Sequence, residues 1–132
     1  LILLIAEQGV ADRVIMPGWV HGKTQRDICA LSDAFVMGSV SEPFGITPIE
    51  AAANGSAVVI THQTGSSEIL RHSIKYDYWD EDRLADILIN LATSHSLTEH
   101  LQIMAANEVS TMNWAAIAPR YLEQYRRLGA SS

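Results

Sequence analysis

Cysteine, basic charge and long apolar runs are all scarce in this sequence, and each scarcity excludes something. A single cysteine, Cys29, stands among 132 residues. It leaves no internal disulfide and no cysteine-cluster metal centre. Its apolar neighbours in DICALSDAF predict a buried small hydrophobe. A lone thiol fits a reducing compartment, so a cytoplasmic setting is expected. No apolar run approaches the roughly 20 residues that span a bilayer. The opening LILLIA carries no basic leader and no small-residue cleavage site, so a signal peptide is not expected. Nine Lys and Arg face 15 Asp and Glu, a net charge of −6 with His neutral. That argues against nucleic acid as a partner, which needs a basic face. It also requires any anionic ligand to be held locally, by backbone N–H groups and a few cations. The five histidines show no metal-ligand spacing; His95 and His100 are five apart, not four. They read as surface or loop residues, and no metal is expected. Aromatic residues amount to only 7%. Trp79, Trp114, Tyr121 and Tyr125 read as packing residues, with Trp114 anchoring the last helix.

Apolar residues make up 48% of the chain, enough for one core and one globular domain. Residues 1–8 read as the tail of a helix whose beginning is missing, stopped at Gly9. Val14–Met16 predicts a short strand closed by Pro17-Gly18. A helix is expected over 24–31, a strand over 34–37, a helix over 47–54 and a strand over 57–61. The 57–61 strand, AVVIT, is continuously apolar and β-branched, as in a strand covered on both faces. A Gly-Ser turn at 65–67 leads to a short helix over 67–71 and an edge strand near 75–78. Three helices follow. One opens at Asp80-Glu81-Asp82 with Leu84, Ile87, Leu88 and Leu91 on one stripe. The next covers 97–109. The terminal one covers 114–128, with a kink or late start at Pro119. Strands alternating with helices predict an α/β fold with a Rossmann-like parallel sheet, in which ligands sit beyond the C-terminal strand ends. Both loops of interest, 38–47 and 62–67, lie there.

The stretch SVSEPFGITPIEAAANG places Glu42 before a Phe-Gly turn and Glu50 just inside a helix. Thr47 suits the N-cap, Pro48 the first helical position, and Glu50 the third, which predicts a capping box. The amides of this helix start also make an anion cradle. Gly45 lets a ligand approach the backbone. Phe44 is expected to pin the loop to the core. Glu42 is either a solvated loop charge or a hydroxyl acceptor. Glu50 is either a cap or a second such acceptor. Two carboxylates flanking an anion cradle at one pocket rim suit a sugar–phosphate–sugar ligand. Paired carboxylates also serve glycosidases, but the cradle favours a nucleotide sugar over a bare glycan.

The run Glu42-Pro43-Phe44-Gly45-Ile46, with Glu50-Ala51, Ala53 and Gly55, resembles the signature of retaining glycosyltransferases of family 4, which have the two-domain GT-B fold. Arg13-Val14 to Gly18, Ser32-Asp33-Ala34, Ser39, Gly65-Ser66-Ser67-Glu68, Asp80 with Leu84-Ala85, and Asn113-Trp114 match further family motifs in order. Gly38, Ala57 and Thr64 depart from the family pattern, and the loop between Glu68 and Asp80 is shorter.

The resemblance implies residues 1–132 as a single, partial donor-binding domain, with 114–128 as its terminal helix. It implies that Glu50 binds the ribose hydroxyls of a nucleoside diphosphate sugar. Glu42, as the catalytic carboxylate, would contact the donor sugar. Backbone groups of Phe44, Gly45, Ile46 and Thr47 would hold the sugar and diphosphate. Gly65 and Ser66 would lie by the phosphates, and Trp19, Val20 and His21 would edge the base. It further implies no cofactor, no metal, and glycosyl transfer with retention. The family's diphosphate-binding cations and its N-terminal acceptor domain precede Leu1, so this chain alone is expected to be inactive. Lys23 and Arg26 lie on the wrong loop to replace those cations and read as a solvated helix face. Expected partners are the nucleotide sugar and the missing acceptor domain, through which a peripheral membrane contact is an option. Self-association through an exposed sheet edge is also expected. Two alternatives stay open. One is a non-catalytic α/β binding or structural module. The other is a sucrose-phosphate-synthase-like or phosphorylase-like GT-B enzyme.

Overall fold

A computed structural model describes residues 1–129. Helix α1 (Ile2–Glu7) and a 3-10 turn (Ala11–Arg13) precede α2 (Gly22–Leu31), strand β1 (Ala34–Met37), α3 (Ile46–Ala53) and β2 (Ala57–Thr61). A second 3-10 turn (Gly65–Glu68) leads to β3 (Ile74–Tyr76), then α4 (Glu81–Thr93), α5 (His95–Ser110) and α6 (Trp114–Gly129). The three strands form one parallel sheet in the order β1-β2-β3. Ala34 to Met37 run beside Ala57 to Ile60, and Ile74 to Tyr76 beside Val59 to Thr61.

The sequence of β2 explains its place. All five of its residues are buried. Because strand side chains alternate between faces, Val58 and Ile60 join one core and Val59 the other. The first core adds Ala52, Leu70, Ala105 and Val109, and so draws in α3 and α5. The second adds Tyr76, Ile87 and Leu91, and so draws in β3 and α4. Each fully buried Val or Ile contributes about 1.5–3 kcal/mol. Cys29 is buried as expected, and burial, followed by the nearby Glu50 charge, raises its thiol pKa.

Several expectations fail for identifiable reasons. The strand at Val14–Met16 does not form. These residues find no ladder to join among the described residues, and Ile15 is 88% exposed. The short helix at 67–71 is instead the 3-10 turn Gly65–Glu68. The edge strand sits slightly earlier, at Ile74–Tyr76. Helix α6 does not start late: it runs from Trp114 with Pro119 inside it, and it buries no residue. The Asn113 side-chain oxygen accepts from the Ala116 N–H and caps it. Trp114, Tyr121 and Tyr125 are exposed, as is Trp79, so none is a core residue. Trp79 instead meets Tyr78 edge to face, 4.8 Å between centroids. A periodic stripe shows that a helix is amphipathic, not that this chain supplies the covering surface. Among the described residues no helix is long and apolar enough to cross a membrane.

One polar cluster secures the turn before β3. The Glu108 carboxylate on α5 accepts N–H bonds from Arg71 and His72, each 3.1 Å, and contacts His72 Nδ1 at 3.1 Å. His72 is therefore engaged rather than a free surface residue. Burial raises the Glu108 pKa, but the His72 and Arg71 amides and the His72 ring outweigh it, and the net shift is downward. A depressed carboxyl stabilises the fold above the usual carboxylate range and loses that contribution as pH falls through its folded pKa. Hydrogen bonds to a charged acceptor contribute about 1.5–3 kcal/mol. Glu108→Ala is expected to lose about that much in urea unfolding at pH 7, and much less near pH 3. An equal loss at both pH values would show that the carboxylate charge is not what matters.

Candidate functional site

The loops beyond β1 and β2 are stitched together by backbone bonds. The Gly65 N–H donates to the Glu42 carbonyl at 2.8 Å, and the Ser66 N–H to the Phe44 carbonyl at 2.6 Å. The Glu42 N–H reaches the Gln63 carbonyl at 3.4 Å, and Glu42 and Thr64 pair as an isolated parallel bridge. Below this clasp the Thr61 hydroxyl donates to the Ser39 carbonyl at 2.7 Å. Its one proton is thereby used, so the Thr64 hydroxyl, 3.1 Å away, donates to it. The loops lie so close that a Cβ on Gly65 would stand 2.0 Å from the Pro43 carbonyl oxygen. The clasp, not Phe44, pins the loop: Phe44 is 50% exposed.

Helix α3 leaves this clasp from Gly45, whose φ of 75° is the left-handed conformation that glycine adopts freely. The expected capping box is absent. Gly45, not Thr47, is the N-cap, and no side chain caps the helix. The N-cap lies two residues earlier than the capping box required, and Glu50 turns elsewhere. Its Oε2 accepts from Gln25 Nε2 of α2 at 2.9 Å. The first-turn amides of Ile46 and Thr47 therefore keep the free donors of an uncapped helix start, while Pro48 carries no N–H. Pro48, Ala51 and Ala52 bury the opposite side of the helix.

Glu50 opens onto a cavity of about 540 Å³ beside the β1 edge. Trp19, Val20, His21 and Thr47 line it, as do Gln25 and Cys29 of α2. Five of the sequence-selected residues thus meet in one place. Glu42, Phe44, Gly45, Ile46, Gly65 and Ser66 do not line that cavity. They belong to the clasp, which reaches it through Thr47 at the start of α3. The Glu42 side chain folds back over its own loop: its Cγ lies 3.1 Å from where a Gly45 Cβ would be, and its Oε1 is 3.4 Å from the Phe44 nitrogen. The two acids are held by different neighbours, Glu42 by the clasp and Glu50 by α2. Among the described residues no Lys or Arg lines the cavity. Lys23 is on the solvated face of α2, paired with Asp27 at 2.6 Å. Among the described residues no three His, Cys, Asp or Glu side chains cluster as a metal site requires.

Residues 1–108 match the family model described as "Glycosyl transferases group 1". The chain belongs to that family. This glycosyl transferase group 1 chain is 32% identical over 118 residues to mannosylfructose-phosphate synthase of Agrobacterium fabrum, covering 86% of the chain and 26% of the relative. It is 28% identical over 95 residues to sucrose-phosphate synthase of Zea mays, covering 70% of the chain and 9% of the relative. In structure it resembles a sucrose-phosphate synthase from Thermosynechococcus elongatus, with a TM-score of 0.84 and 26% identity. That match covers 98% of this chain and 33% of the other. An α,α-trehalose 6-phosphate synthase from Burkholderia multivorans shares the fold, with a TM-score of 0.76 at 12% identity. The group 1 chain thus spans a third or less of each of these proteins, and its sheet is a Rossmann-like unit of the GT-B kind.

Sequence reasoning missed Gln25, which carries no motif and lies 25 residues from its partner. It also missed the Pro43 carbonyl that makes Gly65 obligatory. Only the packing of α2 on α3, and of one loop on the other, reveals them.

Proposed function

We propose that this chain is the donor-binding half of a retaining glycosyltransferase of family 4. Its donor is a nucleoside diphosphate sugar, and its acceptor is held by a domain outside the chain. The observation that carries the reading is the uncapped start of α3, set between the Glu42 clasp and the Glu50 cavity. An anion placed there meets free N–H groups and the positive end of the helix dipole, which compensates locally for the net charge of −6. Glu50 accepts from the ribose hydroxyls. Trp19, Val20 and His21 edge the base. Glu42 faces the sugar, while Phe44 to Thr47, Gly65 and Ser66 cradle the sugar and diphosphate. Catalysis is then mainly stabilisation of the departing diphosphate by oriented dipoles, together with cations from outside this chain and no metal. The relatives named above support a second, narrower reading, since their names end in phosphate synthase: an acceptor that is itself a sugar phosphate.

The test is a thermal-shift panel of UDP, GDP and ADP on the chain, repeated with EDTA. One diphosphate is expected to raise the melting temperature, unaffected by EDTA, with no sugar transfer by the chain alone. Silence from all three would sink the reading. Transfer by the chain alone would overturn its dependence on outside cations.

A further inference from the structure

The geometry points to Gln25 as a positioning residue for Glu50: its side-chain amide fixes the carboxylate so that one oxygen stays free for the ribose diol. The inference rests on the donor-binding reading above. Gln25 Nε2 lies 2.9 Å from Glu50 Oε2. Of the two ways to place the amide, only this one works against an ionised carboxylate, because the flipped amide would set two acceptor oxygens face to face. The contact is cross-element, joining the first half of α2 to the second turn of α3. Both residues line the 540 Å³ cavity and also a smaller depression of about 240 Å³ that contains Arg26. The pair therefore stands as the wall between the two.

The chemistry of the donor matters. A guanidinium at this position would take both carboxylate oxygens in a fork and neutralise them. Arg26 shares the smaller depression with Glu50 but makes no ion pair with it, and Lys23 is committed to Asp27. A neutral amide binds one oxygen, leaves the charge intact, and leaves Oε1 able to accept from hydroxyls. One turn further along α2, Cys29 faces Glu50 from the same stripe but offers only a weak S–H donor. Gln25 is thus the strong donor on that stripe. Glu50 is exposed and caps nothing, so the bond has little to contribute to folding. Its consequence falls on how Glu50 is presented.

The test compares Gln25→Leu, Glu50→Ala and the double variant. Each is titrated with the diphosphate that binds best and with its 2′,3′-dideoxy counterpart. Gln25→Leu keeps the stem and removes the donor. It is expected to weaken the ribonucleotide about five- to ten-fold and the dideoxynucleotide hardly at all. In the Glu50→Ala background it should add nothing, because the two residues act as one unit. A merely structural role would weaken both ligands alike. If Glu50→Ala abolishes the ribose preference while Gln25→Leu leaves it intact, the Gln25 assignment fails and the donor-site reading stands. If neither variant alters that preference, or the wild type has none, both fail.

Discussion

Gly65→Ala is expected to be among the most damaging single-methyl additions in this fold. Gly65 needs no unusual backbone conformation; its φ is not in the left-handed region. The constraint is steric. The new Cβ would lie 2.0 Å from the Pro43 oxygen, 2.7 Å from its carbonyl carbon and 3.0 Å from the Phe44 Cα. These are backbone atoms, so no rotamer change relieves the clash, and the two loops must separate by more than an ångström. Separation breaks the Gly65-to-Glu42 and Ser66-to-Phe44 bonds. Each bond is worth about 0.5–1.5 kcal/mol net, and forced overpacking adds about 1–3 kcal/mol. A loss of about 3 kcal/mol follows, or roughly 10 °C in melting temperature for a domain of this size. Gly38→Ala is the control. Its Cβ would meet only the Tyr76 hydroxyl, at 3.1 Å, so a shift of a few tenths of an ångström relieves it. It should cost under about 1 kcal/mol. Equal losses from the two variants, measured by thermal or urea unfolding, would show that the clasp yields easily. The clasp also sets where the α3 amides point, so surviving Gly65→Ala protein should bind a nucleoside diphosphate more weakly than Gly38→Ala protein.

The contrast between these two glycines marks what the sequence could and could not disclose. The β1, β2 and α3 segments were legible because their apolar patterns are local and their boundaries carry turn chemistry, as at Asn54-Gly55. The Val14–Met16 segment has the same local pattern but forms no strand, because a strand exists only where a neighbour offers a ladder. The terminal helix was legible as a helix. Its exposure was not, since period 3.6 reports one apolar face and says nothing of what covers it. At the site, Trp19, Val20, His21, Thr47 and Glu50 line one cavity, while Glu42, Phe44, Gly45, Ile46, Gly65 and Ser66 do not. The capping box failed because the helix starts at Ile46 with Gly45 as its N-cap, which places Glu50 a turn too far along to reach the cap; Glu50 bonds Gln25 on another helix instead. Local spacing weighs only local competitors, and Gln25 was not one of them.

That same partnership makes the two acids separable by experiment. Glu50→Ala is expected to weaken the bare nucleoside diphosphate about ten- to a hundred-fold, the loss of hydrogen bonds to a charged acceptor. The fold should be nearly untouched, within about 0.5 kcal/mol, because Glu50 is exposed and supports no helix end. Reduced binding would then not be reduced folding. Glu42→Ala should behave differently. Its backbone bonds to Gln63 and Gly65 survive truncation, and its carboxylate does not line the cavity where Trp19, Val20 and His21 gather. The bare diphosphate should bind Glu42→Ala almost as well as wild type. A nucleotide sugar should lose whatever extra affinity its hexose supplies. Calorimetry with both ligands on both variants reads this as a crossed pattern: one acid governs the nucleoside, the other the sugar. If both variants bind the bare diphosphate as the wild type does, Glu50 is no ribose ligand and the group 1 site works in some other way.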